Sequence, residues 1–382
     1  MPDHALLSAS SSSRWIACPP SAKLCEGYPD HTSPYAQQGT DAHSLAAYKV
    51  LKALGKKADV PAGRLTFFDR EMDECTDAYR DFVLEQIGEA RKLCYDPLVL
   101  VEQRLDFSRW VPEGFGTADA CILSDEALFV IDLKYGSGIL VDAGWNSQMM
   151  CYALGLLESF DGIYDVRSVK LSIFQPRRDH VSTFEISKTD LLSWADTVLA
   201  PAAELAFLGE GDFAAGDHCQ FCPAKGSCRK RAEFNLEMAR YDFEPPPEMT
   251  DMEIAAILPR IDDLISWGND VKDFAVKQAL NGRRYEGLKL VEGRTKTRYT
   301  DDAAVAAAVR AVGKEPYEQR LLGITDMKAL LGRKQFNEIL GGLTYKPPGK
   351  PTLVPESDSR PALDIAKIDF SENSDMEEKC NE

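Results

Sequence analysis

The period of the hydrophobic pattern changes in a fixed order along the first 208 residues, and that order permits few folds. From Gln37 to Leu54 the apolar positions Ala42, Leu45, Ala46, Val50 and Leu51 recur at helical spacing. Asp69 to Leu93 repeats it with Met72, Tyr79, Phe82, Val83, Ile87 and Ala90, so both stretches are predicted helices with one buried face. Leu98 to Phe107, Thr117 to Leu123 and Ala127 to Leu133 read as strands. The polar turn Ser124, Asp125 and Glu126 joins the last two, which predicts a meander. A helix over Gln148 to Leu157, strands over Val169 to Gln175 and Ser182 to Ile186, and a helix over Thr189 to Leu208 capped by Thr189 complete the series. The order ααβββαββα predicts an α/β fold of the α+β kind, a mixed sheet flanked by helices.

The pattern breaks after Ala232. Pro245, Pro246 and Pro247 form a rigid interruption, Asp251 through Gln278 is helical, Arg283 to Thr300 alternates enough for a small hairpin, and short helices are expected before Gly341. From Val354 onward nine acidic residues face three basic ones, a net of −6 with little apolar content, so a disordered tail is expected. The expected organisation is a domain over 1–240, a mainly helical accessory region over 241–353 and an acidic tail over 354–382.

Composition excludes several classes of function. Of 382 residues 44% are apolar and 27% charged, an ordinary globular balance. Lys and Arg number 44 against 61 Asp and Glu, a net charge of −17, so a nucleic acid would have to be gripped by a local basic surface. The longest apolar runs, such as Ala127 to Ile131 and Cys151 to Leu157, fall far short of the roughly 20 residues of a membrane span. Met1 to Ser13 lacks the basic and apolar regions of a secretory signal, so a cytoplasmic place is expected, where cysteines stay reduced. Cys75, Cys94, Cys121 and Cys151 sit in apolar patterns as core residues. Of the others, Cys18, Cys25, Cys219, Cys222 and Cys228 are the ones to explain.

Gly116-Thr117-Ala118-Asp119 lies at the start of one strand and Ile131-Asp132-Leu133-Lys134 closes the next. In a hairpin these ends can meet. Alternation puts Asp132 and Lys134 on the face of Val130, opposite Ile131 and Leu133. Two carboxylates from adjacent strands suit Mg²⁺ or Mn²⁺, and the lysine can orient an attacking water or stabilise phosphorane charge. Alone, an Asp-x-Lys is more simply a solvated charge pair at a strand end. Its setting raises it: His43 lies upstream on a helix, in Gly39-Thr40-Asp41-Ala42-His43, and Gln148 lies downstream with Tyr152 one helical turn later.

With these elements in this order the chain resembles the RecB-like branch of the PD-(D/E)xK nuclease superfamily. The resemblance implies a restriction-endonuclease-like core in which His43, Asp119 and Asp132 are metal ligands together with the Leu133 carbonyl. It implies Lys134 as the catalytic lysine beside Asp119 and Asp132, and Gln148 and Tyr152 as contacts to the substrate strand. Glu102, in Val101-Glu102-Gln103 on the preceding strand, is a weaker candidate whose plainer reading is a solvated strand charge.

Cys219-Gln220-Phe221-Cys222-Pro223-Ala224-Lys225-Gly226-Ser227-Cys228 has the spacing C-x2-C-x5-C, with Pro and Gly keeping the loop open for its sulfurs to converge. A cysteine set favours zinc or an iron-sulfur cluster. His218 could complete a zinc site, and Cys18 and Cys25 compete for a fourth position. The chain is similar to the iron-sulfur exonucleases of the RecB-like branch, including CRISPR-associated ones, which clamp a 4Fe-4S cluster with one N-terminal and three C-terminal cysteines. That resemblance implies Cys18, Cys219, Cys222 and Cys228 as ligands that staple the two ends of the nuclease domain, with Zn²⁺ the alternative. Nearly the full chain also resembles a phage- and prophage-encoded family of unknown function.

The expected activity is a metal-dependent DNA exonuclease acting on single-stranded DNA or DNA ends in phage replication or recombination, with proteins of those processes as partners. The alternatives are a non-catalytic DNA-binding or recombination scaffold that keeps the nuclease fold, and a zinc-stabilised structural phage protein. Lys134, Arg177, Arg178, Lys225, Arg229, Lys230 and Arg231 are the cations expected to offset the negative charge near the cleft.

Overall fold

The computed structural model describes residues 5–28, 34–61, 63, 65–160, 162–238, 250–292, 299–317, 321–345 and 361. One five-stranded mixed sheet runs in chain order: β1 (Leu98–Asp106), β2 (Phe115–Leu123), β3 (Ala127–Leu133), β4 (Ser168–Gln175) and β5 (His180–Ser187). Neighbouring strands are antiparallel except β3 and β4, which are parallel and need a crossover. A helix, Ser147–Phe160, lies on that crossover.

β3 is buried from end to end, as a strand covered on both faces must be. Cys121, Leu123, Leu128 and Val130 join the core under the crossover helix through Met149, Tyr152 and Leu156. Ala120, Ile122, Phe129, Ile131 and Leu133 face the other way, onto Val50, Tyr79, Val83 and Ile87. We number the helices in chain order: α1 (Ser12–Ala17), α2 (Ser21–Glu26), α3 (Pro34–Ala53), α4 (Arg70–Ala90) and α5, the crossover helix. α3 and α4 cover the second face, and Asp69 caps α4 by accepting the Met72 N–H.

α1 and α2 occupy a stretch that the sequence marks only as a loop. Six-residue helices are not stable alone. Tertiary burial holds them: Trp15 is fully buried with its Nε1 donating to the Ser8 carbonyl at 3.1 Å, and the Ser12 and Ser147 hydroxyls lie 2.6 Å apart.

The helix after β5 is capped two residues earlier than expected, because Ser187 rather than Thr189 accepts the Asp190 N–H. It runs through α6 (Lys188–Trp194), a π turn over Ala195–Leu199 and α7 (Ala200–Leu208). Pro201 lacks an N–H and would crowd the carbonyl four residues back, and the π turn directly ahead of it absorbs that conflict. Lys188–Leu208 is long and apolar enough, by length and composition, to cross a membrane, which the count of uninterrupted apolar residues missed. Leu191, Ala195, Leu199, Ala203 and Ala206 nonetheless pack in the core, the pattern of a globular core helix.

Farther on, α8 (Arg229–Met238) packs on α9 (Asp251–Leu280), which opens with a Thr250–Glu253 capping box. Arg231, expected beside a DNA channel, is 2% exposed with Nη1 at 2.6 Å from Asp270 Oδ2 and Nη2 at 3.3 Å from Asp263 Oδ1. Lys225 also pairs with Asp270, at 2.8 Å. These two cations hold the cysteine loop and α8 on α9. Gly226 belongs to the same contact, since a Cβ there would lie 2.6 Å from the Asp270 carbonyl oxygen.

Residues 283–292 form no strand, so the expected hairpin is absent over the described residues; 293–298 lie outside them. α10 (Asp302–Ala311), α11 (Ile324–Leu331) and α12 (Arg333–Leu340) follow. The Pro245 to Pro247 break and, apart from residue 361, the acidic tail lie outside the described residues.

Candidate active site

The site forms where the sheet comes apart. β1 pairs with β2 at Val101–Ala120 and again at Gln103–Ala118, and the β2–β3 ladder ends at Ala120–Ile131. Continuing both registers puts Glu102 opposite Asp119 and Asp119 opposite Asp132. Neither rung is regularly paired. β3 continues along β4 to Leu133–Phe174, and the Lys134 N–H donates to the Phe174 carbonyl at 2.9 Å. The Asp119 side chain takes over where β2 leaves: its Oδ2 accepts the Leu133 N–H at 2.7 Å. Glu102 has a left-handed backbone with φ 51°, rare for a side chain of this size.

α3 brings His43 onto this opening. Buried Asp41, two residues earlier, anchors the chain between α3 and α4 by accepting the Thr66 and Phe67 N–H groups at 2.7 and 2.8 Å. His43 Nδ1 lies 2.9 Å from Asp119 Oδ1, and the donor atoms of His43, Glu102 and Asp119 all lie within 4.8 Å of one another. Burial opposes the imidazolium, yet the charge and hydrogen bond of Asp119 raise His43 to about 9. Glu102 reaches solvent, but neighbouring protein thins its hydration and the charges of Asp119 and Asp132 add to the effect, lifting it to about 7.

Beside this trio lies a second group. Asp132 is 2% exposed, and burial together with the Asp119 charge pushes its carboxyl upward. Its Oδ2 meets the Lys134 ammonium at 2.9 Å but takes no well-directed hydrogen bond. The Gln148 amide ties the group together: Oε1 accepts from Lys134 at 3.0 Å, while Nε2 donates to Asp132 Oδ1 and to the Tyr152 hydroxyl, each at 3.1 Å. Tyr152 is itself buried, and Gly116 leaves room for it, since a Cβ there would lie 2.8 Å from the Tyr152 ring. Tyr152 thus supports Gln148 from below.

His43, Asp119, Asp132, Leu133, Lys134, Gln148 and Tyr152 are therefore gathered at one place, with Leu133 contributing its N–H to Asp119. Glu102 belongs with them. One imidazole and several carboxylates are a donor set that fits Mg²⁺ or Mn²⁺. The sequence undervalues Glu102 because only the register and the positive φ reveal where its carboxylate stands.

The cysteines form a separate site. Cys18, Cys219, Cys222 and Cys228 line one narrow cavity together with Arg14, His218, Lys225 and Arg231. The Cys18 thiol accepts the Ala214 N–H at 3.4 Å; burial opposes its ionisation, but the hydrogen bond and charge of His218 together with the Ala214 and Ser21 N–H groups outweigh that and lower its pKa. Hydrogen bonds to Cys18 and Cys219 raise His218 to about 10. Cys25 stands next to the cavity, its Sγ 3.8 Å from that of Cys222, and Arg14 donates to it at 3.4 Å. The Cys222 contact lowers Cys25 to about 6 and raises Cys222, so the pair holds one proton tightly and releases the other easily. Thiols from distant parts of the chain thus line one cavity among cations, but among the described residues it is the trio of His43, Glu102 and Asp119, not the cysteines, whose ligand atoms already lie close enough to hold an ion.

Fold and site together define a mixed α/β protein with an acidic, histidine-bearing candidate metal centre at a split in its sheet. The chain belongs to the family described as a protein of unknown function (DUF2800), which it matches over residues 4–361. Among solved structures, the one titled "Crystal structure of SSO0001" is similar at 14% identity and a TM-score of 0.24, over 49% of this chain and 95% of that one. A likeness that slight carries no argument about fold or function.

Proposed function

We propose that the protein is a metal-dependent DNA exonuclease with a RecB-like, restriction-endonuclease-like core, working in the cytoplasm of a bacterial cell on phage or prophage DNA. One observation carries the reading: Glu102, Asp119 and Asp132 stand in register across three strands under His43, with Lys134 fixed beside them by Asp132 and Gln148. His43, Glu102, Asp119 and Asp132, with the Leu133 carbonyl, are the residues that would hold a divalent ion. When bound, the ion supplies Lewis-acid polarisation of the phosphate and a more acidic water. Hydrolysis forms a bond from water oxygen to phosphorus and breaks the bond to the leaving sugar oxygen. Lys134 would place its positive charge where the phosphorane is most negative, its ammonium held between Asp132 at 2.9 Å and the Gln148 Oε1 at 3.0 Å. Cys18, Cys219, Cys222 and Cys228 would hold a 4Fe-4S cluster, whose part is to staple the N-terminal segment to the chain that follows α7.

The test is digestion of end-labelled single-stranded and duplex DNA with Mn²⁺ by protein purified without oxygen. Progressive shortening that stops on chelation and in Lys134→Ala is the expected result. Binding without cutting would replace the exonuclease with a scaffold.

A further inference from the structure

The loop between Lys134 and α5 places large apolar side chains in water beside the site. Ile139 is 45% exposed, Leu140 52% and Trp145 60%. Their backbone is nevertheless fixed from below. Buried Gln175, at the end of β4, accepts the Val141 N–H at 2.8 Å and donates to the Ile139 carbonyl at 2.9 Å. Ser182 on β5 accepts the Ala143 N–H at 2.9 Å and donates to Asp142, whose carboxylate also accepts the Gly144 N–H. Trp145 has φ 54°, and its ring centroid lies 5.6 Å from that of Phe184 on β5.

A loop held this firmly has already lost its conformational entropy, yet it leaves apolar surface unburied that would gain about 1.5–3 kcal/mol per large side chain if covered. What lies around it narrows the choice of occupant. Arg178 donates from the loop's other flank to the Ser137 carbonyl at 3.1 Å while remaining exposed, whereas Arg177, over the Tyr135 ring at 5.1 Å, is already paired with Glu71 at 3.0 Å. The acid within the loop, Asp142, is occupied by its own neighbours. Aromatic and apolar surfaces flanked by arginine are the means by which proteins hold unpaired bases. The loop also begins next to Lys134 and ends next to Gln148, which hydrogen-bond to each other.

We propose that Ile139, Leu140 and Trp145 form a stacking platform for unpaired bases of a single-stranded DNA end entering the site. The proposal rests on the nuclease reading for the direction of entry, and it makes the platform the source of preference for single strands over duplex.

The experiment is fluorescence anisotropy of labelled oligo(dT) and of a blunt duplex on the full-length protein, with Mn²⁺ and the Lys134→Ala background to prevent cutting. Trp145→Ala should weaken oligo(dT) binding about tenfold, Trp145→Phe should retain most of it, and the duplex should change less than about twofold. The salt dependence should keep its slope in Trp145→Ala, because stacking releases no counterions, and lose about one unit in Arg178→Ala. Unchanged oligo(dT) affinity in Trp145→Ala and in the Ile139→Ser, Leu140→Ser double variant would overturn the platform, as would an equal loss for duplex. In parallel, digestion by protein with Lys134 intact separates the two readings. Oligo(dT) binding that needs Trp145 without cleavage would sink the nuclease and keep the platform; cleavage indifferent to Trp145 would do the reverse; neither binding nor cleavage would remove both.

Discussion

Glu102 stands opposite Asp119 across β1 and β2, at the rung where the ladder between them loses its pairing and Glu102 takes a positive φ. Lost hydration first, and then the charge of the Asp119 carboxylate, disfavour the ionised form, and Glu102 rises to about 7. An acid whose folded pKa lies above its unfolded value costs the fold nothing below the unfolded value, and a penalty that builds as pH rises from that value to about 7 and stays constant above it. In chelator, Glu102→Gln should therefore be more stable than the parent at pH 8 by up to about 1 kcal/mol, given how solvent screens a reachable carboxylate, and no more stable at pH 4. Mn²⁺ should reverse the order, because only the carboxylate can ligate. Melting temperatures at both pH values, with and without Mn²⁺, check both signs.

His43 makes metal uptake a proton-release reaction. At about 9 its imidazole is charged at neutral pH and must lose that proton to become a ligand, while Glu102 is about half protonated. Mn²⁺ binding at pH 7 should release between one and two protons, seen as calorimetric heats that scale with the ionisation enthalpy of the buffer. Affinity should climb up to about tenfold per pH unit between pH 7 and 9 and then level off. His43→Asn should flatten the climb; an unchanged slope would remove His43 from the ligand set.

The central cluster of side chains was legible in the sequence because its grouping depends on local period. Asp132 and Lys134 share a face with Val130 since a strand alternates, and Gln148 and Tyr152 meet because one helical turn separates them. What depends on distant partners was not legible. α1 and α2 exist through tertiary burial, of Trp15 in α1 and of Ala22 in α2, and Arg231 looks like one more cation of a basic run until Asp263 and Asp270 arrive from α9. Glu102 is a charged residue inside a strand, which a sequence assigns to solvent; its place opposite Asp119 follows from register, not from period.

Gly116 tests how much Tyr152 matters. A methyl at this position would lie 2.8 Å from the ring, which is wedged in the core and has no open space to swing into. Gly116→Ala should cost about 1–3 kcal/mol of stability and disturb the hydrogen bond from Gln148, so cleavage should fall while Mn²⁺ affinity holds. Turnover and metal binding measured on the same preparation separate that outcome from simple unfolding. Loss of metal binding in the folded variant would contradict it.

The cysteine cavity makes the last prediction, and it turns on which N-terminal thiol is used. Protein purified without oxygen should be brown and carry about four irons per chain, the complement of a cluster held by four thiolates. Cys222→Ser should bleach it and destabilise the fold, because Cys222 and Cys18 line the same cavity from distant parts of the chain. Cys18→Ser should do the same. Cys25→Ser needs separate thought, since its sulfur lies 3.8 Å from that of Cys222 and shares a proton with it. Once Cys222 is committed to a metal as thiolate, that shared proton is gone and Cys25 keeps its contacts to Arg14 and the Ala224 backbone outside the cavity lining, so Cys25→Ser should leave colour and iron content intact. Bleaching by Cys25→Ser with colour retained in Cys18→Ser would exchange their roles. A colourless protein holding one zinc would replace the cluster with the smaller ion and leave the carboxylate site as proposed.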